Sequence, residues 1–190
     1  AHKSSPPIIL TDEQIDILLN YFKKYNADKI YYRNVAVLKL GFYLGLRASD
    51  IANLKFENFD FYNKILKIVQ QKTLKELSLP ITDSIINSIF LYIEKERPKI
   101  DSKFIFLSSK SPYQTMNKLA VRRALDPVFG KNVVNPHMLR KTFASQLLVS
   151  GSNIDIIANA LGHTGNKTVH KYLDTDEINM KKCPISLINI

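Results

Sequence analysis

Apolar residues recur three or four positions apart over most of the chain and two apart over one short stretch. That pattern predicts a mainly helical molecule with a small sheet. Thr11-Asp12-Glu13-Gln14 has the form of a capping box and opens a helix over residues 11–24. A second helix is predicted over 30–44, with Val35, Leu38 and Phe42 on one side and Gly45 ending it. Ser49-Asp50 can cap a short helix running to residue 54. The period then drops to two over 59–61, 65–69 and 77–79, three strands of an antiparallel sheet closed by Pro80. A helix over 83–96 stops before Pro98. Residues 104–106 (Phe-Ile-Phe) are a strand or a core loop, and 115–128 read as one basic helix. Asn135-Pro136 is a helix start, with a capping side chain and then proline in the first turn; that helix reaches residue 150 before Gly151. A further helix over 153–161 ends at Gly162, and a last helix-like segment carries Tyr172.

These elements divide the chain into an extended arm or linker over 1–10, a folded domain over 11–173 and a tail over 174–190. Ser4-Ser5-Pro6-Pro7 keeps the arm extended, as at a junction with a preceding domain. The fold class expected is α+β: mainly α with one small three-stranded antiparallel sheet.

Composition narrows the partners. Lys and Arg number 27 against 17 Asp and Glu, a formal net charge of +10, which points to a polyanion, most often nucleic acid. The single Cys183 excludes an internal disulfide and a multi-cysteine zinc site. The N-terminus lacks an apolar signal core, and the longest apolar stretch, 35–46, is broken by Lys39 and is too short to span a bilayer. A cytosolic or nucleoid-associated protein is the expectation.

Several residues carry candidate chemistry. His137 and Arg140 are three apart, on one helix face, near a helix N-terminus that favours an anion. Arg140 supplies a planar fork that matches phosphate oxygens. Leu161-Gly162-His163 places an imidazole at a sharp turn, and Tyr172 follows nine residues later. Arg47 projects where Gly45 breaks a helix, with Asp50 placed to hold its guanidinium. Lys72 sits at the tip between two strands, within reach of a substrate phosphate. Taken singly, each also suits an ordinary structural role: a helix cap, a surface ion pair, a lysine guarding a strand edge.

Their joint order is more telling. Gly-Leu-Arg after a helix, a hairpin lysine eight residues before Pro80, His-x-x-Arg, Leu-Gly-His and then a tyrosine together resemble the tyrosine recombinase family, also called the phage integrase family. The resemblance spans about residues 8–176. It implies a tyrosine-recombinase-like catalytic domain that cleaves and rejoins DNA strands through a covalent 3′-phosphotyrosyl intermediate, without metal, ATP or cofactor. Carried over by position, Tyr172 is the nucleophile, Arg47 and Arg140 the two arginines, His137 and His163 the histidine positions and Lys72 the hairpin lysine. Asp50 resembles the acidic residue after the first arginine. The tip Lys72-Thr73-Leu74-Lys75 lacks the glycine often found there, which leaves Lys75 as a lesser candidate.

The resemblance further implies double-stranded DNA as partner and four protomers around two duplexes, with the C-terminal tail docking on a neighbour or on its own domain. Phosphate contacts are expected from Lys39, Lys118, Arg122, Arg123 and Lys141. His137 is the preferred base, His163 a donor to phosphate and Lys72 the general acid toward the leaving 5′-oxygen. A type IB topoisomerase, a telomere resolvase and a non-catalytic DNA-binding regulator are the competing readings. The DNA site, and the choice among integration, transposition, inversion and chromosome-dimer resolution, are not written in these motifs.

Overall fold

The computed structural model describes residues 8–23 and 31–162. The expected arm over 1–7, His163, the segment with Tyr172 and the tail over 174–190 lie outside the described residues.

Local sequence explains most helix starts. α1 (Asp12–Lys23) opens with the expected capping box: Gln14 N–H donates to Thr11 Oγ1 (3.2 Å) and Thr11 N–H donates to Gln14 Oε1 (3.0 Å). α2 (Tyr31–Leu44) follows, then α3 (Ala48–Ala52). α3 begins earlier than Ser49-Asp50 suggested: Arg47 itself takes the N-cap position, extended at φ −71°, and makes no side-chain cap. The strands β1 (Phe59–Asp60), β2 (Ile65–Val69) and β3 (Glu76–Pro80) form an antiparallel sheet in chain order. Leu66 pairs with Leu79 and Ile68 with Leu77, all four buried on one face. α4 (Asp83–Lys95) comes next.

Residues 104–106 are core loop. Ile105 and Phe106 are fully buried, and Phe104 makes an isolated bridge to Lys55. The single helix expected over 115–128 is two. Asn117 caps α5 (Lys118–Arg123) through Ala120 N–H (2.8 Å), and α6 (Asp126–Phe129) follows a break. Pro127 causes that break, because it has no N–H to donate and its ring crowds the preceding turn. α7 (Pro136–Val149) is capped as expected, with Asn135 Oδ1 accepting from His137 N–H (3.0 Å) and Met138 N–H (3.2 Å). α8 (Ile154–Leu161) is capped by Asn153 and ends at Gly162 in the left-handed region, φ +61°.

α2 is the axle of the domain. The one-sided apolar face expected for it is corrected: Val35, Ala36, Val37, Leu38, Leu40 and Phe42 are all buried, because α4 and α7 both pack on it. Its N-terminus is closed from afar, as Glu96 accepts from Tyr32 N–H (2.7 Å) and Arg33 N–H (2.8 Å). Packing starts ahead of α1: Leu10, within the expected arm, is 1% exposed and its N–H donates to Thr142 Oγ1 on α7. One apolar cluster joins α1, α2, the sheet, α4 and the first half of α7. A smaller one, Ala144, Ile157, Ala158 and Leu161, seats α8 on the second half of α7.

Candidate active site

Two helix ends and a hairpin meet where α2 stops. Gly45 turns the chain at φ +60°, and a side chain there would run into the Phe143 ring. The turn hands the chain to Arg47, whose extended backbone leaves its side chain free of any capping duty. Arg140, buried at 3% exposure, reaches across from α7. Its Nη1 donates to Gly45 O (2.6 Å) and its Nη2 to Leu161 O (2.5 Å). One guanidinium thus ties the end of α2 to the end of α8, where helix carbonyls carry partial negative charge.

Arg47 is held by Gln70, with Asp50 in a lesser part. Arg47 Nη1 donates to Gln70 Oε1 at 2.5 Å, whereas Asp50 Oδ2 lies 3.9 Å away. Asp50 instead accepts Gln71 N–H through Oδ1 (3.0 Å), anchoring the hairpin. Gln70 Oε1 also accepts from Thr73 Oγ1 (2.8 Å), and Gln70 Nε2 donates to Leu161 O (3.2 Å). Gln70 is missing from the sequence-predicted set. The signal was present: Gln70, one residue past β2, continues the alternation of the inward-facing Leu66 and Ile68, and a fully buried amide there needs partners.

Lys72 stands exposed at the tip of the β2–β3 hairpin. The loop closes through Gln70 N–H to Lys75 O (2.9 Å) and Leu74 N–H to Gln70 O (2.9 Å). Leu74 takes the left-handed position, φ +53°, which in a non-glycine residue costs about 1–2 kcal/mol.

Arg47, His137 and Arg140 line one cavity of about 370 Å³, together with Lys118, Arg122 and Asn135. Arg140 is buried and His137 is exposed on the wall. Partial burial, and then the charges of Lys141, Arg140, Arg47 and Lys72, push the His137 imidazole below its ordinary value of 6.5. It is therefore neutral at pH 7 and able to accept a proton. The site is a cationic cup with one neutral base, suited to an anionic oxygen pair. Among the described residues no group of three or more His, Cys, Asp or Glu converges as a metal site.

The residues expected on DNA divide. Lys118 and Arg122 line the cavity, and Arg122 is steadied by Asn132 Oδ1 (2.9 Å). Arg123 lines an adjoining hollow with Arg122 and Lys131. Lys141 bears on the site through its charge on His137. Lys39 has another post: its ammonium donates to Ser84 O (3.1 Å) and Oγ (2.7 Å), lies 5.7 Å over the Phe22 ring and is lowered in pKa by burial. It braces α2 against α4 and lines a different cavity.

A family model described as the phage integrase family matches residues 9–178. The chain belongs to that family. A tyrosine recombinase of Thermosipho africanus is 31% identical over 172 residues, covering 88% of this chain and 57% of the relative. Tyrosine recombinase XerA of Pyrococcus furiosus is 31% identical, covering 87% and 57%. The chain thus spans a little over half the length of these relatives. In fold it matches the crystal structure of XerA recombinase at TM-score 0.73 (20% identity, 98% of this chain and 67% of that one). It matches XerH site-specific recombinase bound to palindromic difH substrate at the same TM-score (22% identity, 93% and 52%). The phage integrase catalytic fold, mostly helical with one three-stranded sheet, is therefore the fold of this chain.

Proposed function

We propose that this chain is the catalytic domain of a site-specific DNA recombinase or integrase working through a 3′-phosphotyrosyl intermediate. The observation that carries the reading is the convergence of Arg47, at the start of α3, with His137 and Arg140, on α7, on one cavity rimmed by Lys118 and Arg122. Phosphoryl transfer asks mainly for positioning and for neutralisation of the non-bridging oxygens. Arg47 and Arg140 suit that task as planar, permanently charged forks. Tyr172, a proposed nucleophile outside the described residues, attacks the scissile phosphorus and displaces the 5′-oxygen. Neutral His137 takes the phenol proton, His163 donates to a phosphate oxygen, and Lys72 delivers a proton to the leaving oxygen. The P–O bond broken is replaced by one to tyrosine, so a 5′-hydroxyl of a second strand can reverse the step without an energy source.

Double-stranded DNA is the proposed partner, with the protein acting in the cytoplasm at the nucleoid and as a tetramer on two synapsed duplexes. Among the described residues no helix is long and apolar enough to cross a membrane. DNA-bound solved relatives in fold, such as the Tn1549 transposon integrase in complex with circular intermediate DNA, support the partner.

The test uses the full chain and a pool of nicked duplexes randomised around the nick, in EDTA, resolved on a denaturing gel. A covalent adduct that vanishes in Tyr172→Phe while DNA binding persists is the expected result. An adduct that survives in Tyr172→Phe overturns the nucleophile. Bound DNA with no adduct favours a non-catalytic regulator. Relaxation of supercoils by a lone protomer favours a topoisomerase.

A further inference from the structure

We propose that Gln70 is a positioning residue: its side-chain amide fixes the Arg47 guanidinium and joins the Lys72 hairpin to the end of α8, so the cations are arranged before a phosphate enters. This rests on the phosphoryl-transfer reading above.

Four observations converge on it. Gln70 is fully buried one residue past β2, continuing the inward alternation of Leu66 and Ile68, where a hydrophobic residue is the ordinary choice. Both ends of its amide are occupied, and their orientation is forced. Arginine has only donors, so the oxygen must face Arg47; a carbonyl only accepts, so the NH₂ must face Leu161 O. The same oxygen takes the Thr73 hydroxyl, one residue from Lys72. Finally, Gly162 lies against this amide: a Cβ there would collide with Gln70 Oε1, Cδ and Nε2. The turn that leads on to His163 is thereby seated on Gln70.

The arrangement assigns different work to Gln70 and Asp50. Asp50 Oδ2 is 3.9 Å from Arg47 and offers charge at long range, while Gln70 supplies the directional bond. A neutral amide orients the guanidinium without cancelling its charge. A carboxylate in the same place would compete with the phosphate for it. Gln70 also bridges elements that apolar packing joins only weakly, since α8 rests on a small cluster of its own.

Inorganic phosphate at low ionic strength is the probe, with NMR on the full chain. In the wild type, restricted rotation should resolve the Arg47 Nη protons, and phosphate should bind in the cavity. Gln70→Leu keeps the volume and removes the bonds. The expected result is collapse of the resolved Arg47 signals and phosphate binding weakened about tenfold. In an Arg47→Ala background the same change should cost nothing further, because Gln70 acts through Arg47. A merely structural residue would not give that non-additivity.

Phosphate binding that is unchanged in Gln70→Leu, a loss that adds in full to that of Arg47→Ala, or no phosphate binding by the wild type overturns the proposal. If Gln70→Leu does not fold, Thr73→Val carries the test. It removes one hydrogen bond to the same oxygen from a loop and should shift both readouts in the same direction by less. No shift overturns the proposal. The adduct assay above decides the phosphotyrosyl reading separately, so loss of that reading with an intact phosphate result, or the reverse, is distinguishable.

Discussion

The floor and the rim of the cationic cavity are built on opposite terms. On the floor, Arg140 and Gln70 are buried and Arg47 is largely so, and each is committed to partners on other segments. On the rim, His137, Lys118 and Arg122 are exposed, as is Lys72 on the hairpin tip, whose charge reaches His137. Floor groups are doing two jobs, holding the fold and presenting charge. Rim groups mainly present charge, with Arg122 also held by Asn132. A phosphate entering the cavity thus meets a rigid cationic base, which reduces the reorganisation needed at the moment of reaction. His137 and Lys72, the groups proposed to handle protons, are both exposed. The expected consequence is a split: floor substitutions should lower stability and activity together, rim substitutions activity alone.

Arg140→Ala should break the comparison hardest if it is mistaken. It leaves the Gly45 carbonyl in a buried site without its charged donor and weakens the tie to Leu161 O, which costs about 2–3 kcal/mol of stability. Adduct formation should be lost as well. Thermal unfolding and the adduct assay check both halves. An Arg140→Ala protein as stable as the wild type would place Arg140 with the rim. Lys72→Ala is the mirror case. As an exposed tip residue it should change stability by less than about 0.5 kcal/mol. If it is the general acid, cleavage should slow by about 10²–10⁴-fold. A 5′-phosphorothiolate duplex, whose leaving group needs no proton, should restore the rate. Failure of that rescue moves the acid to Lys75 or His163.

A smaller effect tests the seam between floor and α8. Gly162→Ala asks a left-handed position to carry a Cβ that also meets the Gln70 amide. The conformational part alone costs about 1–2 kcal/mol. Because α8 rests on a small apolar cluster, the loss should appear first as faster amide exchange in α8, with α2 and α4 still protected. Uniform loss of protection would show that α8 unfolds only with the whole domain.

What was legible in the sequence follows the range of the interactions. Thr11 with Gln14, Asn135 before Pro136, Asn153 and Gly162 all act within a turn of their own helix, and the structure has each of them where the local pattern puts it. The strand alternation likewise fixed which faces of β2 and β3 are buried. The break at Pro127 was equally local, and the basic run from Lys118 to Arg123 obscured it. What escaped depends on partners far along the chain. α2 looked one-sided because its second cover, α7, arrives a hundred residues later, and its N-terminal cap is Glu96. Arg47, His137 and Arg140 were readable as residue types in order. That Gln70, and not Asp50, grips Arg47 needed two segments brought together in space.

The finest test of floor against rim is the titration of His137. Partial burial and then four cations hold its pKa below 6.5, with Lys141 the strongest of the charges. The sign follows from linkage. The folded state binds this proton less readily than the unfolded one, so the group's contribution to stability is present above about pH 6.5 and is lost as pH falls through the lowered folded value. The imidazole NMR midpoint should lie below 6.5. Lys141→Ala should raise it by removing one repulsive charge. Inorganic phosphate in the cavity should raise it too, since an anion offsets all four cations at once. Because Arg47 is held in place and Lys72 is exposed on the hairpin tip, Arg47→Ala should raise the midpoint even in high salt, whereas a Lys72→Ala shift should fade as salt is added. Equal salt sensitivity of the two shifts would mean that the floor is no better shielded from water than the rim.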